Sequence, residues 1–379
     1  MEGSFVVTPW QVEGKIDYAA LEKQFGIKDL DRGLIGRIEK HTKVLHPFIR
    51  RRIVFAQREL GWLLDEYEKG NNFYLYTGIA PSGGMHIGHL LPFMLTKWFQ
   101  EKFGAEVYIQ IPDEEKFLFH SFKGDAKLPL EEYHNLAENA ALNIAALGFD
   151  PKKTKIFIDT DYAKTLYKQA VRVASRITFS TVKDAFGMDN SANIGWIFYT
   201  SMQAVPAFLK SVEVGHNVPC LIPLGVDQDV HFRVARDVMG KLGYYKPAIL
   251  HSKFLPGLQG DDKMSQSSDN KTGVIFLDDS EETVFKKVGM ALTGQQATAE
   301  LQKKYGGDPD RCMVCQYYKF LFEPDDIKLE KIFDAERNGT ILAGEHKKDL
   351  ATRINRFLKE HRDRVAETKK QIDRFMVTD

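Results

Sequence analysis

The feature that most constrains the fold of this chain is a series of short apolar runs that alternate with helical segments between residues 73 and 250. After the first run, apolar residues from Leu90 to Phe99 recur at helical spacing. This alternation predicts βαβ units, a parallel sheet and right-handed crossovers. Ligands of such sheets lie at the carboxyl ends of the strands, which directs attention to the loops after Tyr76, Ile111 and Ile222. The runs are Phe73–Thr77, Glu106–Ile111, Lys155–Ile158, Cys220–Ile222 and Ala248–Leu250.

Composition is that of an ordinary globular protein. The 379 residues predict two or three domains at roughly 150 residues each, and an apolar fraction of 43% excludes wholesale disorder. Lys and Arg together number 52, as do Asp and Glu, so a nucleic-acid partner would require a local basic face. No apolar stretch approaches the roughly 18 residues of a membrane span, and the first residues lack a signal-peptide pattern. With only three cysteines, the sequence predicts a cytoplasmic protein without a membrane partner.

The sequence divides the chain into three predicted parts. Residues 1–70 are predicted to be a mostly helical N-terminal extension, because apolar side chains from Ile53 to Tyr67 fall at helical spacing. Residues 71–275 contain the runs of the parallel sheet. Residues 276–379 are predicted to be a helical domain with a partly basic surface, since Arg and Lys interleave with an apolar stripe from Leu350 to Met376.

The first motif is the segment Pro81–His89, PSGGMHIGH, called here the histidine turn. It lies between a predicted strand and a predicted helix. Glycines allow the backbone to approach a ligand closely, and the helix start offers free N–H groups to an anion. His86 and His89 can donate hydrogen bonds to phosphate oxygens as charge develops. The motif therefore predicts a phosphate site, although either histidine alone could be a polar residue of an ordinary turn.

The second motif is KMSQS, Lys263–Ser267, in a polar segment that begins at Gly260; we call residues 260–267 the lysine loop. A loop lysine beside small hydroxyl residues can close over a polyphosphate and hold it as a point charge. A lysine in a polar loop is a weak signal by itself. The two motifs together, one early and one late in the predicted α/β part, are expected to converge on one triphosphate.

Cys312 and Cys315 have the spacing of half a zinc site. No second cysteine pair completes a four-cysteine site, because the only other cysteine is Cys220. Spacing leaves histidine ligands from elsewhere open. The ligand count favours a structural role for these cysteines, so the sequence predicts no metal held by the protein itself.

The two motifs resemble the HIGH and KMSKS signatures of class I aminoacyl-tRNA synthetases. Further blocks resemble the tryptophanyl-tRNA synthetase family of eukaryotic and archaeal type, over essentially the whole chain. The resemblance implies a Rossmann-like catalytic domain and a C-terminal α-helical anticodon-binding domain, whose last helix packs back on the catalytic domain. It also implies a homodimer. The blocks are Phe5–Trp10, Tyr74–Gly78, Pro112–Lys116, Met202–Pro206, Ile222–Asp229 and Lys246–Ala248.

The resemblance implies ATP-dependent activation of L-tryptophan and its transfer to tRNA(Trp), with Mg²⁺ bound mainly through ATP oxygens. The residues that would stabilise the charge on the phosphates and align the substrates are His86, His89 and Lys263. The positions that match ATP contacts are Gly78, Pro81, Ser82, Gly88, Met264, Ser265 and Ser267.

By the same resemblance, Tyr76 and Gln110 match the positions that bind the indole nitrogen. Glu115, Gln203 and Gln228 match positions around the amino and carboxylate groups of tryptophan. An indole has one N–H donor on a large apolar body, so its pocket needs a buried acceptor between apolar walls.

Two residues depart from the family pattern. Gln266 replaces the second lysine of KMSKS, so Lys263 is expected to make most of the contacts with phosphate. Ile79 stands where eukaryotic members have arginine, so no ATP contact is assigned there. The alternatives are a tyrosyl-tRNA synthetase, an HxGH nucleotidyltransferase that uses no tRNA, and an inactive binding protein. Pyrophosphate exchange with each amino acid in turn distinguishes these alternatives.

Overall fold

The structure is a computed structural model that describes residues 5–7, 12–14, 16–124, 128–264 and 271–379. The strands are β1 (Val6–Val7), β2 (Val12–Glu13), β3 (Lys28–Asp29), β4 (Val54–Arg58), β5 (Tyr74–Gly78), β6 (Val107–Ile111), β7 (Thr154–Ile158), β8 (Cys220–Gly225) and β9 (Ala248–Ser252).

The helices are α1 (Tyr18–Phe25), α2 (Arg32–Thr42), α3 (Pro47–Arg50), α4 (Leu60–Glu68), α5 (Leu90–Phe103), α6 (Asp113–Lys123), α7 (Leu130–Ala145), α8 (Ala163–Ala174), α9 (Phe179–Phe186), α10 (Ile194–Met202), α11 (Pro206–Val214), α12 (Asp229–Leu242), α13 (Glu281–Gly289), α14 (Ala299–Tyr305), α15 (Met313–Tyr317), α16 (Asp326–Arg337) and α17 (Ala343–Lys369). Within the described ranges, no helix is both long and apolar enough to cross a membrane.

The predicted parallel sheet is present. Seven strands follow the order β3–β4–β9–β8–β5–β6–β7, and the five from β9 to β7 are parallel to their neighbours. The chain first builds β5, β6 and β7 toward one edge and then adds β8 and β9 on the other side of β5. The order of the strands therefore reverses between β5 and β8, and ligands of open α/β sheets bind outside the carboxyl ends of the strands at such a point.

Successive side chains of the strands supply two different apolar cores, as the pleat requires. Leu75 and Ile109 belong to the core that also contains the helices after β9. Tyr76 and Phe157 point to the opposite face, where they pack among α8, α10, α11 and α12. Tyr76, which the resemblance assigns to indole binding, therefore lies on this second face.

One element differs from the sequence prediction. The helical spacing from Ile53 to Tyr67 predicts a helix, but residues Val54–Arg58 form β4, and α4 begins only at Leu60. β4 pairs antiparallel with β9 and is almost fully buried. A short apolar run cannot be assigned by periodicity alone, and here the pairing with the edge of the parallel sheet decides the outcome.

The segment 375–379, called here the returning segment, lies along β7. Ile156 donates its amide hydrogen to the carbonyl of Phe375 at 2.8 Å, and Val377 donates to the carbonyl of Ile156 at 2.9 Å. The long helix α17 thus leads from the helical part back to the edge of the central sheet.

Candidate active site

The histidine turn is built around two stacked imidazoles. His86 donates its amide hydrogen to Nδ1 of His89 at 3.3 Å. The two ring centroids are 3.5 Å apart, and the ring planes differ by 22°. The amide of Ile87 donates to the carbonyl of Ile275 at 3.1 Å, so the turn is tied to the chain just beyond the lysine loop. Both rings are held before any ligand arrives.

Burial keeps both imidazoles neutral. Desolvation, followed by the charge of Lys263, lowers the pKa of His86 to about 3. Desolvation also lowers the pKa of His89 well below its usual value, with His86 and Lys263 adding to the effect. Since Nδ1 of His89 accepts a hydrogen bond, the proton of its neutral ring lies on Nε2. His89 can therefore donate one hydrogen bond to an anion without being a cation.

The histidine turn and the lysine loop meet at Gly88. A Cβ atom at this position would lie 3.1 Å from Nδ1 of His86 and 3.6 Å from Cβ of Met264. Met264 is buried, and its amide donates to the carbonyl of Leu255 at 2.8 Å. The structure thus brings together His86, His89, Gly88, Lys263 and Met264.

Lys263 is held at the carboxyl end of β8. Its Nζ lies 2.6 Å from Oδ2 of the buried Asp227 and 5.0 Å from the centroid of the Phe254 ring. About a third of the lysine side chain stays exposed, at 31%. The ammonium group is therefore both fixed and open to an anion that arrives from solvent.

The loop from β5 to the histidine turn begins with an obligatory glycine. Gly78 pairs with Gln110 of β6, and a Cβ atom on Gly78 would lie only 2.5 Å from the carbonyl oxygen of Gln110. Pro81 is buried and Ser82 is exposed. Of the predicted ATP positions, Ser265 and Ser267 lie outside the described residues.

A buried hydrogen-bonded chain crosses the carboxyl ends of β5, β6 and β7. The hydroxyl of Tyr76 donates to Oε1 of Gln110 at 2.5 Å, and Nε2 of Gln110 donates to Oδ2 of Asp159 at 2.7 Å. The carboxyl group of Asp159 orients the Gln110 amide, so its oxygen faces Tyr76. That oxygen has a second lone pair with which it can accept an N–H donor.

A second set of side chains joins this chain from α6 and α10. Tyr199 donates to Oε2 of Glu115 at 2.9 Å and also contacts Oε1 of Gln203. Nε2 of Gln203 donates to the hydroxyl of Tyr76 at 3.2 Å. The network therefore connects Tyr76, Gln110, Glu115 and Gln203. Gln228 lies in the single turn after β8, half-buried, on the side of Lys263 and Asp227.

Burial raises the pKa of two carboxyl groups beneath this network. Burial raises the pKa of Asp159 to about 8 in spite of the hydrogen bond from Gln110, and Asp113 raises it further. Burial, then the charges of Asp159 and Asp113, raises the pKa of Glu114. Oδ1 of Asp159 and Oε2 of Glu114 receive no hydrogen bond from any other described residue, and the two carboxyl groups form a side-chain hydrogen bond with each other. A proton shared by this pair reduces the negative charge beside Gln110.

Sequence reasoning missed three residues of the site. Asp159 directly follows β7, so the rule that selected the loops after Tyr76 and Ile111 would also have selected it. Asp227 lies inside a block that was noted only for its neighbour Gln228. Tyr199 lies on α10, where no local pattern separates it from a core aromatic residue.

Comparison with known proteins agrees with this geometry. The family described as tRNA synthetases class I (W and Y) matches residues 68–359. The tryptophan–tRNA ligase of Pyrobaculum aerophilum is 45% identical over 100% of this chain and 99% of its own length. The ligase of Sulfolobus acidocaldarius is 43% identical over 99% of this chain and 96% of its own length.

Solved structures agree as well. Tryptophanyl-tRNA synthetase from Plasmodium falciparum superimposes with a TM-score of 0.88 at 36% identity, covering 95% of this chain and 97% of that one. The enzyme from Encephalitozoon cuniculi, solved bound to tryptophan, has a TM-score of 0.86 at 34% identity, covering 96% and 98%. The sheet and the two motifs therefore define a class I aminoacyl-tRNA synthetase. Within that class, the chain belongs to the tryptophan–tRNA ligase family. The comparisons do not support the alternatives that the sequence left open.

Proposed function

We propose that this chain activates L-tryptophan with ATP and transfers the tryptophanyl group to tRNA(Trp). The proposal rests on the meeting of the histidine turn and the lysine loop at Gly88, together with the buried pair of Tyr76 and Gln110 on β5 and β6. A candidate nucleotide site and a buried, oriented acceptor among apolar side chains thus lie at the ends of neighbouring strands. Relatives named tryptophan–tRNA ligase along the whole chain support the same activity.

In the first step, a carboxylate oxygen of tryptophan forms a bond to the α-phosphorus of ATP. The bond from that phosphorus to the bridging oxygen breaks, and pyrophosphate leaves with the electron pair. This step needs alignment and charge stabilisation more than covalent help from the protein. Lys263 exchanges Asp227 for the phosphates, and Nε2–H of His89 donates to a phosphate oxygen. ATP enters as its Mg²⁺ complex, in which ATP oxygens hold the ion.

Recognition of tryptophan rests on the oriented amide of Gln110. Its oxygen, fixed by the bond from Nε2 to Asp159, accepts the indole N–H next to Tyr76. A buried acceptor discriminates strongly, because a substrate without the matching donor leaves it unpaired. Glu115 and Gln203, joined through Tyr199, bind the amino end, and Gln228 binds near the carboxylate.

For the rest of the chain we propose the division into residues 1–70, 71–275 and 276–379, with the last part reading the anticodon. The switch from strands to helices after β9 supports the boundary at residue 276, whereas residues 1–70 contribute β3 and β4 to the same sheet as the second part. We also propose a cytoplasmic homodimer. Exposed apolar side chains between β7 and β8 support an interface there, and light scattering of the Ile194→Asp variant tests it by a halved mass. The exposed residues are Tyr167, Val171, Phe179 and Ile194.

The test of the activity is pyrophosphate exchange with each amino acid in turn, where only tryptophan is expected to support exchange. Lys263→Ala should lower the tryptophan-dependent rate by roughly an order of magnitude or more, because one charge contact to the transition state is lost. Lys241→Ala, at the exposed end of α12, is the matched control and should leave the rate unchanged. Exchange with tyrosine, or a normal rate for Lys263→Ala, contradicts the proposal.

A further inference from the structure

Four buried donors of metal-ligand type converge in the helical part, well outside the site described above. Cys312 caps α15 and Cys315 lies within it, Glu336 lies on α16, and His346 lies on α17. One ligand atom from each residue lies within 4.8 Å of the others. The exposed fraction is 0% for Cys312, Cys315 and Glu336 and 1% for His346. The helices thus bring residues that are distant in sequence to one enclosed point.

The charged members of this cluster are only half satisfied. Nδ1 of His346 and Nε2 of Gln295 both approach Oε2 of Glu336, at 3.1 Å and 2.7 Å. Within the described part of the chain, Oε1 of Glu336 and Nε2 of His346 have no oxygen or nitrogen partner, and the thiol of Cys312 is the neighbour that both side chains contact. A buried polar atom without a partner destabilises the fold, and an ion is one of the standard explanations for such atoms. Here two unpaired atoms lie beside two thiols.

We propose that Cys312, Cys315, Glu336 and His346 bind one structural Zn²⁺ ion. Two thiolates, one imidazole and one carboxylate match the ligand preferences of zinc and disfavour the hard cations Mg²⁺ and Ca²⁺. Four protein ligands in an enclosed site leave no open position for water or substrate. The ion would therefore be structural and not catalytic.

The dimensions of the cluster fit this ion. Tetrahedral zinc with bonds of about 2.0–2.3 Å sets its ligand atoms roughly 3.3–3.8 Å apart. Ligand atoms that lie up to 4.8 Å apart therefore need to close by at most about 1–1.5 Å. The Tyr318 ring stacks on His346 with centroids 5.3 Å apart and planes within 14°, which fixes the imidazole plane. Gln295 holds the Glu336 carboxylate, and such outer contacts are the normal support of metal ligands.

A redox role for the cysteine pair fits the structure less well. Exchange partners must reach a reactive thiol, and both sulfur atoms are fully enclosed. A disulfide would also leave the free atoms of Glu336 and His346 unpaired. The cluster requires a ligand that satisfies all four residues together.

The site has a structural path to the lysine loop. Met313, next to Cys312, donates its amide hydrogen to the carbonyl of Leu292, and Leu292 donates to the carbonyl of Leu258 at 2.8 Å. The hydroxyl of Tyr317 donates to the carbonyl of Pro256 at 3.1 Å. An ion that fixes α15 against α16 and α17 therefore also steadies the base of the loop that carries Lys263.

The test begins with the full-length chain purified without chelator. Elemental analysis is expected to find about one zinc per chain, and replacement by Co²⁺ should give the ultraviolet band of thiolate-to-metal charge transfer. Removal of the ion by a chelator should lower the melting temperature by several degrees, and Zn²⁺ alone should restore it. These measurements need no variant, so they decide the question even if the variants do not fold.

Variants assign the ligands. Cys315→Ser and His346→Gln should each lose the Co²⁺ charge-transfer band or the bound zinc, whereas Cys220→Ala, which changes the buried cysteine of β8, should retain both. The proposal is wrong if the wild-type chain stays metal-free after incubation with Zn²⁺ and its melting temperature does not change. It is also wrong if intact mass analysis shows that Cys312 and Cys315 form a disulfide in the purified, active protein.

Discussion

At the scale of single residues, two carboxyl groups outside the signature motifs decide how the motif residues are presented. Asp227 accepts from Lys263 at 2.6 Å and holds the ammonium group at the end of β8. Asp159 accepts from Gln110 at 2.7 Å and turns the amide oxygen toward Tyr76. The motifs supply the reactive groups, and the two aspartates set where those groups point.

Gln110→Ala is expected to raise the KM for tryptophan roughly tenfold, since loss of one buried hydrogen bond costs about 1–1.5 kcal/mol. The KM for ATP should change little, because Gln110 lies in the Tyr76 network and not in the histidine turn. Steady-state pyrophosphate exchange measures both constants. An equal rise in both would instead indicate a folding defect and remove Gln110 from amino-acid recognition.

Gly78→Ala is expected to destabilise the fold by about 1–3 kcal/mol, the usual cost of overpacking. The new methyl group would lie 2.5 Å from the carbonyl oxygen of Gln110, which belongs to the neighbouring strand and cannot move aside cheaply. Gly36→Ala is the matched control, because Gly36 lies within α2 with nothing within 4 Å of its Cβ position. Urea unfolding should show a loss for the first variant and none for the second.

Sequence reasoning reached the residues of this site unevenly, and the reason is physical. Tyr76 and Gln110 end buried strands, and His86 and Lys263 lie in Gly-rich loops, so their local sequence marks them. Asp159 also follows a strand end, but its contact with Gln110 joins residues 49 positions apart, and no local pattern shows that contact. The resemblance to a family supplied roles, but it did not supply this contact.

At the scale of elements, β4 and α12 are joined by a buried charge network. Asp229 accepts from Nε of Arg58 at 2.9 Å and lies 2.7 Å from Nε2 of His251 on β9. Burial would raise the pKa of Asp229, but the bonds from His251 and Arg58 outweigh it and lower that pKa to about 2. The network adds ionic contacts to the antiparallel pairing of β4 with β9.

Because the pKa of Asp229 lies below its ordinary value of 3.8, its contribution to stability is present above about pH 4 and disappears as the pH falls toward 2. The lowered pKa corresponds to about 2 kcal/mol. Asp229→Asn should therefore weaken the fall of the unfolding free energy at acidic pH. Near neutral pH the variant should lower that free energy by about 3 kcal/mol or more, since Arg58 loses its partner. Urea unfolding from neutral to acidic pH measures both effects. The assignment is contradicted if the unfolding free energies of the wild-type protein and the variant fall equally steeply at acidic pH.

At the scale of the whole molecule, the helical part and the sheet are not separate bodies. One apolar core includes Leu75 and Ile109 of the sheet together with Leu350 and Leu358 of α17. The sequence indicated the change from strands to helices near residue 280, because the periodicity changes there. It did not indicate how the helices dock, since that depends on contacts between distant segments.

Removal of residues 375–379 is expected to lower the melting temperature by several degrees and to promote aggregation. Phe375 loses its burial, and Ile156 loses both backbone partners at an edge strand. Thr165→Ala is the milder control, because it removes only the 2.5 Å side-chain bond to Asp379. Thermal unfolding followed by light scattering compares the two. Equal stability would show that the returning segment is dispensable.

The returning segment also has a consequence for biosynthesis. Thr165 and its partner Asp379 are 214 residues apart in the chain, so β7 leaves the ribosome long before the residues that cover its edge. At about 5–20 residues per second, the interval is roughly 10–40 s. During that time the uncovered edge of β7 could pair with a neighbouring polypeptide on the same messenger RNA. A chaperone that protects this edge is therefore needed during translation.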